Sequence, residues 1–134
     1  MVPELTVTDF EASLRFYRAV GFAVRFERDQ PRFAYIDLGP AQLMLEQEHG
    51  SRWNVAPLEH PFGRGINLQI EVRDCAAIEE SLRQEGHSVF RPATDTWYRL
   101  DGTTEEGQRE LLVRDPDGYL LRFSQPLGRR STAS

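Results

Sequence analysis

A chain of 134 residues, 40% hydrophobic and 28% charged, has the length and composition of one globular domain. Its net charge of −5 argues against a nucleic-acid protein, which needs a concentrated basic face, and the absence of lysine excludes Schiff-base chemistry and a phosphate-loop lysine. No apolar run approaches a membrane span, no basic-then-apolar leader opens the chain, and the single cysteine, Cys75, excludes an internal disulfide and a cysteine zinc cluster. The expectation is a cytoplasmic protein with no nucleic-acid and no membrane partner.

In chain order, a short strand runs into Asp9, whose carboxylate suits a helix N-cap: it accepts from the orphan amides of the first turn and its charge suits the positive end. Leu14, Tyr17 and Val20 then keep a three-residue apolar spacing after Phe10, and Gly21 takes the left-handed position that stops the helix. Three strand segments follow, FAVRFER, RFAYIDLG and AQLMLEQE, the last two joined by a Gly-Pro turn. The stretch HGSRWNVAPLEHPFGRG is rich in Gly, Pro and polar residues and reads as a linker.

The plan is then repeated. Laid without gaps over Leu5 to Val24, the segment Ile70 to Val89 matches Val7 with Val72, Asp9 with Asp74, Ala12 with Ala77, Arg18 with Arg83, Gly21 with Gly86 and Val24 with Val89. Asp74 is the second N-cap, Ile78 and Leu82 the apolar stripe and Gly86 the stop, with Cys75 a small filler near the helix start. Strands HSVFRP, QRELLVR and YLLRFSQ follow, with the polar stretch from Ala93 to Gly107 inserted before the second. In RDPDGYLLRF, Asp-Pro-Asp-Gly makes a reversal; Leu121 and Phe123 then share one strand face, while Leu120, Arg122 and Ser124 share the other. The whole reads as an α+β domain, residues 1–126, of two tandem βαβββ modules: module one 1–48, linker 49–64 and module two 65–126, followed by a flexible tail, 127–134.

Tandem modules with VTDFEASLRFYRAVGF at the front and RDPDGYLLRF at the back resemble the vicinal oxygen chelate superfamily of glyoxalases, extradiol dioxygenases and bleomycin resistance proteins. The resemblance implies a cupped, partly open barrel-like sheet. It also implies a divalent metal held by four side chains, one from the first and one from the last strand of each module, commonly His, Glu or Gln. The matching positions are Val2, Met44, Asn67 and Arg122, none a standard ligand, and a guanidinium repels a cation. No metal, no cofactor and no catalytic residue is therefore expected. A residual metal row would be Glu4, Glu46, Gln69 and Ser124.

What the cup does contain is a partly acidic wall with one arginine. The expected ligand-binding residues are Glu4, Met44, Glu46, Asn67, Gln69 and Arg122 on the strands, with Trp53, Phe62, Trp97 and Tyr98 from the irregular segments. Aromatics at a cleft mouth stack on planar or cationic ligands. Arg122 has two readings: it contacts ligand, or it balances Glu4 or Glu46 across the sheet. The expected function is metal-independent binding and sequestration of a small cationic or aromatic molecule by a homodimer, similar to bleomycin resistance proteins. The alternative is a metal-dependent lyase, isomerase or dioxygenase of the same superfamily.

Overall fold

The structure is a computed structural model that describes residues 1–50 and 53–132. The chain divides into two compact units, one of Met1–Ile66 with Asp115–Tyr119, the other of Asn67–Arg114 with the residues from Leu120 onward. Each carries one helix and one open four-stranded sheet, the α+β class with tandem modules expected from the repeat.

The first unit contains β1 (Glu4–Val7), α1 (Phe10–Val20), β2 (Ala23–Asp29), β3 (Arg32–Leu38) and β4 (Ala41–Gln47). Its sheet order is β1-β4-β3-β2, with β1 parallel to β4 and the other pairs antiparallel. Asp9 caps α1 by accepting from Ala12 N at 3.1 Å, and Gly21, at φ 123°, ends it with its N–H on the carbonyls of Tyr17 and Arg18. Because side chains alternate along a strand, Leu5, Val7, Ala34, Ile36, Leu43 and Leu45 fall on one face. They are buried, as are Phe10, Leu14, Phe16, Tyr17 and Val20 of α1. Glu4, Thr6, Phe33, Tyr35, Met44 and Glu46 stand on the other face.

The turn Asp115–Tyr119, although it joins the last two strands of the second sheet, folds as part of the first unit. Asp115 Oδ1 accepts from Asp117 N and Tyr119 N, which closes the turn, and Asp115 Oδ2 accepts from the buried Tyr17 hydroxyl at 2.6 Å. Asp117 accepts from Thr8 N at 3.1 Å and Thr8 Oγ1 at 2.6 Å, and Tyr119 donates to Thr6 O at 2.9 Å. Gly118, at φ 97°, lies so close to Pro61 that a Cβ there would meet the proline Cβ at 2.5 Å.

The second unit contains β5 (Asn67–Glu71), α2 (Cys75–Gln84), β6 (Arg91–Arg99), β7 (Thr104–Arg114) and β8 (Leu120–Ser131), in the order β5-β8-β7-β6. Asp74 caps α2 through Ala77 N at 3.1 Å. Ile70, Cys75, Ile78, Leu82, Leu111, Val113, Leu121 and Phe123 are its core. Three expectations change here. The strand after α2 begins at Arg91, not His87. The polar stretch Ala93 to Gly107 is not an insertion between strands but most of a β6–β7 hairpin, whose tip is made by Asp101 Oδ1 accepting from Thr103 N and Thr104 N, both at 2.8 Å. Residues 127–131, expected to begin a flexible tail, are strand: β7 is long enough to pair with them, and Glu105 and Glu106 meet Arg130 and Arg129 across the ladder.

Candidate functional site

On the first unit, the face away from α1 brings together Glu4, Met44 and Glu46. The register places Glu4 opposite Met44 and Thr6 opposite Glu46. Glu4 is hydrogen-bonded to Glu46, and burial, that bond and the negative charge of Glu46 together raise its carboxyl above the usual carboxylate range. Glu46 also meets His49 Nε2 at 2.6 Å. Beside the two carboxyls opens a pocket of about 250 Å³ lined by Glu4, Glu46, Phe33, Arg28, Trp53 and the Gln30-Pro31 turn. Arg28 lies over the Phe33 ring, 4.2 Å from guanidinium carbon to centroid, so this ring face already holds a cation.

The strand alternation continues this surface with aromatic rings that sequence reasoning missed. Phe26 is 51% exposed and stacks on Tyr35 with centroids 5.4 Å apart, and it lies 6.0 Å from Phe33. The pairings Phe26 with Tyr35, Tyr35 with Met44, and Met44 with Glu4 place these residues on one row across the sheet. The available signal is the spacing of Phe33 and Tyr35, which puts them on the same face of β3 as each other; what the spacing does not carry is that this face is the one shared with Glu4 and Glu46.

On the second unit, the face away from α2 carries Arg122 opposite Gln69, with Asn67 opposite Leu120. Within the second unit Arg122 has a partner that neither reading of it named: its Nε donates to Glu110, which is 3% exposed and stands on the neighbouring strand β7. Tyr98 donates to the other Glu110 oxygen, and Arg122 Nη2 donates to the Tyr98 hydroxyl at 3.3 Å. Burial works against the charge of Glu110, but the bonds from Tyr98 and Arg122 outweigh it and hold the carboxyl below its ordinary range. Glu110 has no local motif; only the β7–β8 register reveals it.

The expected aromatic set is divided. Trp53 lines the pocket of the first unit. Trp97 and Tyr98 are consecutive in β6 and so point to opposite faces. Tyr98 reaches Glu110, whereas Trp97 packs over Gly107 beneath Arg130, 3.9 Å from its centroid. Phe62 is buried, stacked on His60 at 4.2 Å and edge-on to Tyr119, a core position and not a cleft mouth.

The divalent metal that this fold suggests is not matched by the side chains present. Register puts Glu4, not Val2, opposite Met44, and Gln69, not Asn67, opposite Arg122. Each cross-strand pair offers at most one good donor, and one includes a guanidinium already bound to Glu110. Ser124 of the alternative row donates to Gln108 at 2.6 Å. Among the described residues no group of three His, Cys, Asp or Glu side chains is placed to hold a metal ion.

Residues 2–123 match the Glyoxalase/Bleomycin resistance protein/Dioxygenase superfamily. No curated protein matches the sequence. Among solved structures, a hypothetical protein of S. aureus is similar at TM-score 0.71 and 20% identity, over 93% of this chain and 92% of that one. A virulence protein of Salmonella typhimurium is similar at TM-score 0.65 and 22% identity, over 92% of this chain and 93% of that one. A glyoxylase/bleomycin resistance protein/dioxygenase domain of Frankia sp. gives TM-score 0.65 and 21% identity, with the same coverage of 92% and 93%. At these identities the structures speak for the fold alone. The family match spans nearly the whole sequence, and the chain belongs to the glyoxalase/bleomycin resistance protein/dioxygenase superfamily.

Proposed function

We propose that this protein binds and sequesters a small cationic or aromatic molecule on the first unit, without a metal, in the manner of bleomycin resistance proteins. The observation that carries this reading is the pairing of two carboxyls, Glu4 and Glu46, with the rings of Phe33 and Trp53 around one pocket of about 250 Å³. Carboxylates supply the charge that a cation seeks, and the exposed Trp53 ring supplies stacking surface, while the buried Phe33 ring, covered by Arg28, forms part of the pocket wall. The donor set favours binding over metal-assisted catalysis, because a catalytic centre needs a closed set of His, carboxylate or thiolate ligands with one open position.

The test is titration of tryptophan fluorescence with a bleomycin-type glycopeptide and with benzyltrimethylammonium. Saturable quenching is expected, weakened about tenfold by Glu46→Gln, the loss of one charge-assisted contact, and weakened by added salt. Absence of saturable binding to either probe, or equal binding by Glu46→Gln, refutes the assignment. So does one divalent metal per chain that survives dialysis and whose removal abolishes an activity.

A further inference from the structure

We infer that the second unit carries a separate receptor for an oxyanion, a carboxylate on a small apolar body, centred on Arg122. This goes beyond the cation site and uses none of its residues. A guanidinium has five N–H donors. Arg122 commits Nε to Glu110 and one Nη2 donor to the Tyr98 hydroxyl; the others meet no acceptor among the described residues, and the side chain is 30% exposed. The two oxygens of Glu110 are both taken, one by Tyr98 and one by Arg122. Glu110 therefore acts as an anchor: a buried, charged carboxylate that fixes the arginine's stem end and leaves its far edge to be completed from outside.

The charge balance of this face favours an anion. Arg91 pairs with Leu112, and Leu112 with Arg122, so both guanidiniums stand on one row of the same face. Arg91 makes no ion pair among the described residues, and its charge already acts on Glu110. Glu110 and Glu71, both level with Ser124, and Arg114, level with Leu120, lie on the same face, so three guanidiniums stand there against two carboxylates in a chain whose overall charge is −5. Gln69, opposite Arg122 in register and exposed, makes no hydrogen bond among the described residues and can donate its amide to the same ligand. Leu112 and Leu120, both half-buried, flank Arg122 on this face and give an apolar body something to lie against. A guanidinium whose orientation is fixed in advance forms a planar, charge-assisted pair with a carboxylate at little entropic cost.

The experiment is an amide-resolved NMR titration of the full chain with sodium benzoate, with benzyltrimethylammonium as a parallel probe. Benzoate is expected to give saturable shifts in β5, around Glu110 to Leu112 and around Arg122, while the cation leaves these amides unmoved. Arg122→Met is expected to weaken benzoate at least about tenfold. Glu110→Gln, which removes the anchor, is expected to weaken it in the same direction, and neither change should weaken the cation probe. If Arg122→Met does not fold, Arg91→Met on the exposed edge carries the test, with weaker benzoate binding expected. Benzoate that gives no saturable shift, that shifts only amides elsewhere, or that binds equally well to the folded Arg122 or Arg91 variant overturns the assignment. Failure of the cation probe alone bears only on the first unit.

Discussion

Asp115 offers a sharp test of how the first unit is held together. Its side chain is 4% exposed, and burial pushes the carboxyl up to about 6 from 3.8, against the hydrogen bonds it accepts from Tyr17, Tyr119 N and Asp117 N and in concert with the negative charge of Asp117. The gap corresponds to about 3 kcal/mol between the protonation states. Since the folded value is raised, folding favours the neutral acid: the stabilising contribution is complete below pH ~4, the unfolded range, and is lost as pH rises through ~6. Asp115→Asn keeps an oxygen for the two backbone donors and cannot ionise. Stability of the natural protein minus that of the variant should therefore fall by about 3 kcal/mol from pH ~4 to pH ~7, a difference in which the other titrating groups largely cancel. Urea unfolding at several pH values, followed by tryptophan fluorescence, measures it. A difference that is flat, or that rises with pH, would show that the three donors favour the ionised carboxylate and that burial is not the dominant effect.

Gly118→Ala should destabilise by about 1 to 3 kcal/mol in thermal melts, because a Cβ would be forced into Pro61 at a backbone conformation that side chains resist; an unchanged melting temperature would mean that the turn can withdraw. Burial pushes the Cys75 thiol up to about 11, and its Sγ donates to Arg109 O at 3.2 Å, so native protein at pH ~8 should leave a thiol reagent almost unconsumed until denaturant is added. We propose that the protein is a homodimer, and sedimentation equilibrium at micromolar concentration should give about twice the monomer mass; a monomer there refutes it. Asp9→Ala should cost about 1 kcal/mol of stability, the value of one N-cap bond to Ala12 N.

What is legible in the sequence is whatever is encoded locally or twice. Asp9 and Asp74, Gly21 and Gly86, and the Asp-Pro-Asp-Gly reversal each act within a few residues of themselves, and their recurrence in register exposes both modules. Strand faces can also be read, since alternation puts Met44 and Glu46 on one face of their strand, and Glu4 joins them through the placement of first and last strands that the family resemblance implies. What stays hidden depends on pairing between distant strands. Glu110 is assigned to Arg122 only with β7 and β8 in register, and Phe26 joins Tyr35 only across the β2–β3 bulge. Trp97 and Tyr98 fall in a stretch that looks irregular, which groups them; as a strand, it sends them to opposite faces. The hairpin Arg91 to Arg114 is polar because much of it is exposed, and an exposed polar strand has the composition of a loop.

The placement of Asp115–Tyr119 within the first unit bears on how the repeat can be taken apart. A fragment ending at residue 66 would contain every strand of its sheet and the whole of α1, yet it would lack the acceptors for the Tyr17 hydroxyl and the Thr8 amide and the covering for Pro61. The remaining piece would carry a loop whose polar groups have lost their counterparts. Two copies of a motif in sequence are thus not two autonomous folding pieces: the turn of the later copy completes the earlier one, so the fragment ending at residue 66 should not fold cooperatively by itself.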